Sequence, residues 1–564
     1  MNYWIISTDR ELEANRNNLL DGCSIMSAHD VSILYTRDGR FERDQLFSAF
    51  GDGFIASDGV ILNLSELKSK YGVNELSEVI HRAEKQFGES FFSEYIGPFS
   101  GARVKNEVIT VWCNQTGDAP VFYYDGEFFS ASDDFNLIVR QLKLHGIEYR
   151  FDENAALAVM TFGYQIDGST MISEIKRLEP GKYIQRENGY SEIKQYHRFS
   201  FDELDISFDE AVNEIDKGFR AALKRCFDKD IEYGYAHMAD MSAGLDTRMV
   251  NWVARDMGYN GISNFHYSQN CSDERKYAEA VSLRLGNDFM AMPLDNVKFI
   301  YDIDKLIDMN YGLTVYCGIT GGERMLSCVG FEHFGLEHTG QLENLTSYGN
   351  TDTHVPPITT DLRYTDTVSY KVPEELLAQY ENNEEFSYYT RGFLGTLSTH
   401  LIRRHYTYAV APFIDRDFFE LCARIPLRYR KNRKLYWAWL NRFYPEAAAM
   451  HSSRDPDRSP KNYYIYKLKR MAYSAYKKVL CAFGLSKTAQ NPNGMNPFDY
   501  WYDTIPEMRE FVQHYYSDTI SLLKGYPKTE SCVEMLIGSP KAMDKMLALT
   551  VLGAAKAYFG AEEQ

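Results

Sequence analysis

The sequence has no excess of basic residues that could form a surface for polyanions. It contains 61 Lys and Arg against 79 Asp and Glu, a formal net charge of −18. Proteins that bind nucleic acids or anionic membranes neutralise phosphate groups with clustered Lys and Arg. We therefore expect no nucleic-acid partner, and we expect small-molecule or protein partners instead.

Paired cysteines are also missing. The nine cysteines are odd in number, scattered along the chain and never spaced as Cys-x-x-Cys. Disulfide frameworks and structural zinc sites require paired or clustered thiols. The pattern predicts reduced thiols and a cytoplasmic location.

Long apolar runs are absent as well. The longest apolar tract, residues 546–555, is about half the length that a membrane span requires, and it predicts a core helix. The residues after Met1 include no basic region followed by a long apolar core, so they predict no secretory signal. We expect no membrane span.

The chain is long enough, and apolar enough, to build more than one core. It has 564 residues, of which 44% are hydrophobic and 14% aromatic, and such a length predicts at least two domains. Short strands with turn signals between them fill residues 54–141, including a strand, a turn and a strand over residues 54–63. This pattern predicts an α+β sandwich, and we place the first domain at residues 1–197.

A second domain is predicted at residues 207–564, after a linker at residues 198–206. It opens on Ser207-Phe208-Asp209-Glu210, which has the form of a helix capping box. Strand and helix signals alternate further on, as in proteins with a parallel sheet.

Residues 239–248, Ala-Asp-Met-Ser-Ala-Gly-Leu-Asp-Thr-Arg, make a small-residue turn at the start of this pattern. The aromatic and apolar run 231–241 predicts a buried strand before the turn. Apolar residues recur at helical spacing from Met249 onwards, which predicts a helix after it. The next parallel strand is predicted at residues 262–267.

The turn has the composition of an anion-binding site. Small residues let backbone N–H groups point at an oxyanion, and a helix start adds partial positive charge. Ser242, Gly244 and Thr247 fit this need, while Asp246 would hold a divalent cation that bridges to phosphates. An ordinary strand-to-helix turn, capped by Ser or Asp, is the alternative.

Nucleotides bind outside the carboxyl ends of parallel strands. Asn264, Phe265 and His266 stand at the end of the second predicted strand. We therefore expect these residues, Phe265 in particular, to lie near an adenine.

The hexapeptide at 242–247 resembles the Ser-Gly-Gly-x-Asp-Ser pyrophosphate loop of the N-type ATP pyrophosphatases. Alanine and threonine replace the second and last of these residues, and both changes are conservative. The resemblance implies that Asp246 holds Mg²⁺ and acts in catalysis. It also implies a set of pyrophosphate-binding residues: Ser242, Ala243, Gly244, Leu245 and Thr247.

Four segments of the first domain resemble, in chain order, the N-terminal nucleophile glutaminase domain of asparagine synthetases. They are residues 59–67, 97–100, 116–124 and 177–183. With the pyrophosphate loop, they imply the architecture of the asparagine synthetase family. That architecture is an α+β N-terminal nucleophile-type glutaminase-like sandwich followed by an α/β ATP-pyrophosphatase domain of the adenine nucleotide α-hydrolase-like class.

The residues that such a glutaminase needs are absent from their positions. The family pattern implies a cysteine as the first residue after removal of Met1, with a thiol that attacks glutamine, but Asn2 stands there. The family's Asn-Gly-Glu glutamine clamp corresponds to Asp58-Gly59-Val60. We expect this domain not to hydrolyse glutamine and to be structural or interface-forming.

Residues 335–345 resemble the family's second landmark, a buried strand that runs into a Gly-rich turn ending in Gly-Asp. The resemblance implies that Thr339 and Gly340 meet the nucleotide. Glu343 and Asn344 replace the Gly-Asp pair. Asn is a weaker Mg²⁺ ligand than Asp, so Glu343 substitutes for it, water bridges, or metal affinity is reduced.

The acceptor side of the family pattern is altered too. Residues 412–418 resemble its Pro-Phe-Leu-Asp landmark, but Tyr-Ala-Val at 408–410 replaces the Glu-x-Arg that usually precedes it, which suggests a changed acceptor pocket. Lys461, with Arg454 and Arg458 as rivals, is the candidate cation for stabilising the reacting centre. A solvated basic face is the alternative.

The resemblance implies that ATP and Mg²⁺ activate a small-molecule carboxylate to an acyl-adenylate, which an amine or ammonia converts to an amide. Residues 436–447 and 495–502 resemble the subgroup of asparagine-synthetase-like proteins often found with bacterial surface-polysaccharide genes, which implies a product other than asparagine. We leave open whether the protein forms a homodimer.

Two other functions stay open. A scaffold or nucleotide-binding pseudoenzyme would explain Asn2, Val60 and Asn344, whereas Asp246 opposes it. tRNA thiolation, or another activity of the pyrophosphatase loop, is disfavoured by the acidic charge and by the lack of a paired cysteine motif.

Overall fold

The first domain consists of two six-stranded antiparallel sheets. The structure is a computed structural model that describes residues 2–317, 333–346, 355–450 and 493–560, and positions 323, 326, 327, 329, 465, 468, 469, 471, 472, 475, 476, 479 and 480. The strands of the first domain are β1 (Trp4–Ser7), β2 (Ser24–Ala28), β3 (Val31–Tyr35), β4 (Leu46–Phe50), β5 (Gly53–Gly59), β6 (Phe99–Lys105), β7 (Val108–Cys113), β8 (Phe122–Asp125), β9 (Phe129–Ser132), β10 (Ile175–Arg177), β11 (Lys182–Glu187) and β12 (Tyr190–Gln195). Their orders are β10-β8-β9-β1-β3-β2 in one sheet and β12-β11-β7-β6-β5-β4 in the other.

Apolar side chains from alternate positions of both sheets meet between them. Helices cover both outer faces: α2 and α3 pack on the β5–β7 side, while α4 and α5 pack on the sheet that contains β1. The predicted α+β sandwich is therefore confirmed for this domain. Its helices are α1 (Arg16–Leu19), α2 (Leu64–Tyr71), α3 (Leu76–Phe87), α4 (Phe135–Leu144) and α5 (Glu153–Phe162).

The second domain contains a five-stranded sheet in which every pairing is parallel. Its strands are β13 (Ala236–Asp240), β14 (Ile262–Ser268), β15 (Asp288–Pro293), β16 (Phe334–His338) and β17 (Ala409–Val410). The order is β15-β14-β13-β16-β17, so β13 is central. This parallel sheet is what the alternating pattern predicted, and it is consistent with an ATP-pyrophosphatase domain.

Helices surround this sheet and continue into a helical C-terminal part. Residues 546–555 lie buried within the last helix, so the predicted core helix is confirmed. Among the described residues, no helix is both long and apolar enough to cross a membrane. The helices are α6 (Phe208–Tyr233), α7 (Leu245–Asp256), α8 (Asp273–Leu285), α9 (Lys298–Tyr301), α10 (Ile303–Asn310), α11 (Glu374–Leu377), α12 (Asn383–Ser387), α13 (Thr399–Arg403), α14 (Arg416–Arg424), α15 (Leu427–Arg430), α16 (Lys434–Phe443), α17 (Pro445–Ala449), α18 (Phe498–Thr504), α19 (Pro506–Thr519), α20 (Pro527–Gly538) and α21 (Ala542–Phe559).

Two local predictions are wrong. The run 231–241 is not one strand, because α6 continues to Tyr233 and ends at Gly234 in a left-handed conformation, so β13 begins only at Ala236. The strand, turn and strand expected over residues 54–63 are also wrong, since β5 runs unbroken to Gly59 and the turn at residues 62–63 leads into α2 and not into a strand. The predicted capping box at the start of α6 is confirmed.

Buried polar contacts join the two domains. The guanidinium of Arg40, in the first domain, donates to the carbonyl oxygens of Tyr406 and Phe334 at 2.9 and 2.8 Å. Lys229 of α6 lies 2.9 Å from Asp44, and both side chains are almost wholly buried. The first domain is thus fixed against the sheet domain by charged groups shielded from water.

Candidate functional site

A tight turn joins β13 to α7 and is closed by its own side chains. Ser242 Oγ accepts a hydrogen bond from the Gly244 N–H, and Thr247 Oγ1 accepts one from the Ser242 N–H, both at 3.1 Å. Gly244 caps α7. Ala243 and Leu245 bury their side chains, so only their backbone can meet a ligand. The predicted pyrophosphate contacts therefore share one helix start, whose free N–H groups favour an anion.

Thr339 and Gly340 lie against this helix start. A methyl group on Gly340 would lie 2.5 Å from the backbone N of Thr247 and 2.6 Å from the carbonyl carbon of Asp246. The Thr339 N–H donates to the carbonyl oxygen of Val410 at 2.8 Å, which holds the segment after β16. The fold thus brings the two sequence landmarks together, and only a residue without a side chain fits between them.

Asp246 and Glu343 place two carboxylates beside the turn. Burial, together with the charge of Asp246, raises the pKa of Glu343 to about 8, while Arg433 opposes the shift. The Glu343 Oε1 atom is buried and has no hydrogen-bond partner among the described residues. Tyr436 donates its hydroxyl to Asp246 Oδ1 at 3.2 Å. Neighbouring carboxylates with an unpaired buried oxygen fit a divalent cation.

Asn344 has a different partner. Its Nδ2 donates to the carbonyl oxygen of Phe413 at 2.7 Å, inside a fully buried contact. An aspartate could not make this bond, because a carboxylate has no donor to offer. The amide therefore anchors the Pro412–Ile414 turn, and the role of Glu343 as a metal ligand stays a prediction.

The residues expected near an adenine, Asn264 to His266, lie in the middle of β14, which continues to Ser268. Phe265 buries its side chain against Met238 on one face of the sheet, so its contact with a nucleotide stays a prediction. Asn264 Nδ2 donates to Asn251 Oδ1 at 2.6 Å within the interior. His266 Nδ1 lies 2.8 Å from the carbonyl oxygen of Met241, and burial lowers the pKa of this imidazole to about 4. His266 is thereby tied to the first residue of the turn.

The candidate cation Lys461 and its rivals Arg454 and Arg458 lie outside the described residues. Their role stays a prediction.

Asn2 stands where the resemblance implies a nucleophile, and both its donor and its acceptor atoms have hydrogen-bond partners. Its Nδ2 donates to Gln45 Oε1 at 2.8 Å and to Asp58 Oδ1 at 2.7 Å. Its Oδ1 accepts from the Asp38 N–H at 2.8 Å. A buried carboxamide with its donors and acceptor in use is not a nucleophile.

The rest of the glutaminase-like position is closed as well. Val60 is fully buried in an apolar cluster, and a methyl group on Gly59 would lie 2.2 Å from the carbonyl oxygen of Pro98. The cavity between Asp58 and Arg404 holds about 20 Å³, which is room for roughly one water molecule. This geometry supports the expectation that the domain does not hydrolyse glutamine.

A buried acid with two imidazoles lies on the α6 face of the sheet, where the sequence indicates only an apolar strand. Asp230 Oδ2 lies 2.8 Å from His237 Nδ1 and 2.6 Å from His338 Nε2. The three ligand atoms lie within 4.8 Å of one another, close enough for a metal. Because the carboxylate already binds both imidazoles, we interpret the cluster as a hydrogen-bonded support.

A second charged cluster lies on the opposite face of the sheet. It consists of Asp240 at the end of β13, Glu337 in β16 and Arg403 at the end of α13. The sequence signals it only by one acid in each of the two strands. That Asp240 and Glu337 both meet Arg403 depends on the order of the strands.

Comparisons with known proteins bear on the first domain. Residues 24–197 match the family model of the glutamine amidotransferase domain, and no curated protein matches the chain. The structure of the allosteric regulatory enzyme of purine biosynthesis is 10% identical, with a TM-score of 0.24, and the match covers 51% of this chain and 74% of that one. Glutamine phosphoribosylpyrophosphate amidotransferase from B. subtilis, complexed with ADP and GMP, is 11% identical, with a TM-score of 0.24 and coverage of 70% and 86%.

The first domain, built on antiparallel sheets, is thus similar to a glutamine amidotransferase domain over residues 24–197. The matched residues cover less than half of the chain and begin after Asn2. At such identities and TM-scores, the two solved structures carry no functional inference.

Proposed function

We propose that the protein is an ATP-dependent, amide-forming ligase resembling the asparagine synthetases. It would join a carboxylate to an amine or ammonia and release AMP and pyrophosphate. The observation that carries this proposal is the pair of neighbouring carboxylates, Asp246 and Glu343, one of which has an unpaired buried oxygen. They lie beside a helix start that the backbone of Gly340 closely approaches.

Asp246 and Glu343 would hold a Mg²⁺ ion. When bound, the ion would neutralise the phosphates of ATP and stabilise the leaving pyrophosphate. The chain's own part is to orient the phosphates with the backbone N–H groups at the start of α7, in a turn whose shape is fixed by the hydroxyls of Ser242 and Thr247. Tyr436 would keep the carboxylate of Asp246 turned toward the site.

The reaction would proceed in two balanced steps. An oxygen of the substrate carboxylate attacks the α-phosphorus of ATP, and pyrophosphate leaves. The amine nitrogen then attacks the carbonyl carbon of the acyl-adenylate, AMP leaves, and one proton is released. The locked amide of Asn2 supports a nitrogen source outside this domain, namely ammonia, a second molecule's amine or an amine within the substrate.

Carboxylate-dependent exchange of pyrophosphate into ATP tests the proposal. The full-length protein would be assayed with Mg²⁺ over a panel of amino acids and uronic acids. We expect at least one acid to support exchange and Asp246→Ala to reduce it by 100-fold or more, because one of the two metal-facing carboxylates is lost.

The matched control is Asp273→Ala. Asp273 is an acid in the first turn of α8, the helix of the next β/α unit, and its side chain is 46% exposed. Exchange should stay within twofold of the wild type in this variant. Absence of exchange with every acid, together with unchanged ATP binding in Asp246→Ala, would rule out the ligase.

The alternative, a nucleotide-binding scaffold, is favoured by one specific observation. The side-chain amide of Asn344 donates a hydrogen bond to the carbonyl oxygen of Phe413. A structural amide thus stands where the family pattern has its second acid. A scaffold would bind ATP with an affinity that depends on Asp246 but would release no pyrophosphate with any acid. The same assay, paired with ATP titration, separates these two functions.

A further inference from the structure

Two acids and one arginine meet at the carboxyl edge of the parallel sheet. Asp240 is the last residue of β13, directly before the phosphate-binding turn. Glu337 pairs with Met238 in the register of β13 and β16, so Asp240 and Glu337 point to the same face of the sheet. Arg403, from α13, lies 2.9 Å from Glu337 Oε1 and 3.6 Å from Asp240 Oδ2.

This cluster is poorly satisfied by the protein itself. The side chain of Glu337 is wholly buried, that of Arg403 is 3% exposed, and that of Asp240 is 17% exposed. Apart from the ion pair with Arg403 and the contact between the two carboxyl groups, both oxygens of Glu337 and Oδ1 of Asp240 are buried without a hydrogen-bond partner among the described residues. Buried polar groups that lack partners destabilise a fold, and such a cost is expected where a ligand completes the site.

The position of the cluster points toward a substrate. Ligands of open parallel sheets bind outside the carboxyl ends of the strands, and β13 is the central strand here. Asp240, the partly exposed member, lies at the edge of the sheet, and Glu337 is enclosed beside it. A ligand at this edge would therefore meet Asp240 first.

The pair is poised to exchange a proton. Burial, aided by the charge of Asp240 and opposed by Arg403, raises the pKa of Glu337 to about 8. Burial also raises the pKa of Asp240, against the charges of Arg403, His400 and His338.

One further titratable group faces the cluster. Among the described residues, this group is Tyr267 of β14. Burial raises the pKa of Tyr267 to about 12, so its hydroxyl stays neutral. Arg403 balances only one of the two acids, and the pair therefore retains a proton near neutral pH.

We propose that Asp240 and Glu337, positioned by Arg403, form the amine-binding site of the protein, in which Asp240 contacts the amine, takes up its proton and shares that proton with Glu337. The substrate class is a primary amine or ammonia. This inference rests on the proposed ligase function and assigns its acceptor side. Asp240 would be the catalytic residue, while Glu337 and Arg403 would be positioning residues.

The step balances with these groups alone. The neutral amine nitrogen forms a bond to the carbonyl carbon of the acyl-adenylate, and the bond between that carbon and the AMP oxygen breaks. The nitrogen loses one proton to Asp240, which shares it with Glu337. AMP leaves with its electron pair, and the proton returns to water through the partly exposed Asp240.

The test compares the two half-reactions in Glu337→Gln and Asp240→Asn, which preserve the shape of each side chain. With the acid that supports pyrophosphate exchange, we expect exchange within threefold of the wild type. Ammonium-dependent AMP release should fall at least tenfold, with kcat affected in Glu337→Gln and the KM for ammonium affected in Asp240→Asn. In the wild type this release should rise with pH through about 8, and Glu337→Gln should lose that dependence.

Glu384→Gln is the matched control. Glu384 and Arg430 form another buried glutamate–arginine pair, 2.5 Å apart and away from the sheet edge. Losing that pair should leave the ratio of the two half-reactions and the pH profile unchanged. Equal losses in both half-reactions for Glu337→Gln and Asp240→Asn, or an unchanged ammonium-dependent step, would overturn the assignment.

A second measurement does not depend on the adenylate. Infrared spectra of the full-length protein would follow the band of protonated carboxyl groups as ammonium chloride is added, with tetramethylammonium chloride as the salt control. We expect ammonium alone to change this band in the wild type and not in Glu337→Gln. Absence of that change would overturn the amine site, whereas absence of pyrophosphate exchange would overturn only the ligase.

Discussion

Asn344 shows how one amide changes the role of a position. Its Nδ2 gives the carbonyl oxygen of Phe413 a buried partner, and the neighbouring Glu343 carries the carboxylate that faces Asp246. From the sequence, the pair at 343–344 suggests reduced metal affinity, whereas the structure places the carboxylate of Glu343 near that of Asp246.

We expect Asn344→Asp to destabilise the protein by about 1–3 kcal/mol without improving any Mg²⁺-dependent activity. The carboxylate would remove a buried donor and face the Phe413 carbonyl oxygen. Urea unfolding at pH 7 measures the effect. The control is Asn296→Asp, where the side chain only accepts, from the Lys298 N–H at 3.1 Å, so that its free energy of unfolding should change little. An Asn344→Asp protein of wild-type stability would contradict the structural role of the amide.

Three elements of the second domain are held together by one buried carboxylate. Asp230, near the end of α6, binds His237 of β13, His338 of β16 and the Leu336 N–H. Burial alone would raise the pKa of Asp230, but the charge of His338 and these hydrogen bonds lower it. The ionised Asp230 therefore fixes the spacing of α6, β13 and β16 next to the turn that joins β13 to α7.

We expect Asp230→Asn to lower the free energy of unfolding by about 3 kcal/mol at pH 7, as for a buried charge pair that loses one partner. Because the folded pKa of Asp230 is lowered, its contribution is present above the unfolded value of about 4 and is lost as pH falls through the folded pKa. The gap between wild type and variant should thus narrow in acid, as followed by urea unfolding from pH 3 to 7. Asp228→Asn, two residues earlier and 43% exposed, should show no such gap.

Element boundaries also depended on more than local pattern. The aromatic residues 231–235 suit a strand, yet α6 continues to Tyr233 because its apolar face extends that far against the sheet. Asp58 and Gly59 suit a turn, yet β5 pairs with β6 through both residues, while its pairing with β4 ends at Ser57. Packing against a neighbour outweighed local preference in both cases.

At the scale of the whole molecule, the first domain serves as a fixed partner of the second. Arg404, directly after α13, forms an ion pair with Asp133 at the end of β9 and also donates to its carbonyl oxygen at 2.6 Å. Asp133 Oδ1 accepts from the Trp4 N–H at 2.9 Å. The two domains thus meet at a buried, charged seam formed by Arg404 and Asp133.

This seam predicts how stability depends on pH. Burial, aided by the charges of Asp58 and Asp134 and opposed by Arg404, raises the pKa of Asp133 to about 7. A raised folded pKa gives a contribution that is full below the unfolded value of about 4 and is lost as pH rises through about 7. We expect the free energy of unfolding to fall between pH 5.5 and 8.5 more steeply in the wild type than in Asp133→Asn.

Urea unfolding at several pH values in this range measures the slope. Asp125→Asn provides the control, because Asp125 lies in a surface hairpin and its side chain is 32% exposed. That variant should keep the wild-type slope. Identical slopes in the wild type and in Asp133→Asn would show that the seam does not hold the proton.

The sequence by itself determined the sandwich, the alternating domain and the strand–turn–helix at residues 236–256. These features depend on local patterns: strand alternation, helical spacing, and small residues before a helix start. Phosphate binding at this turn, and the interpretation of Asn2 as a replaced nucleophile, stay predictions.

Only the tertiary structure decided which distant side chains meet. The strand order β15-β14-β13-β16-β17 places β16 beside β13, and so brings Gly340 to the start of α7 and Glu337 to Asp240. Strand order depends on how the whole chain buries its apolar surface, which no local pattern records. For the same reason, the sequence could not predict the partners of the buried acids Asp240 and Glu337 or their raised pKa values.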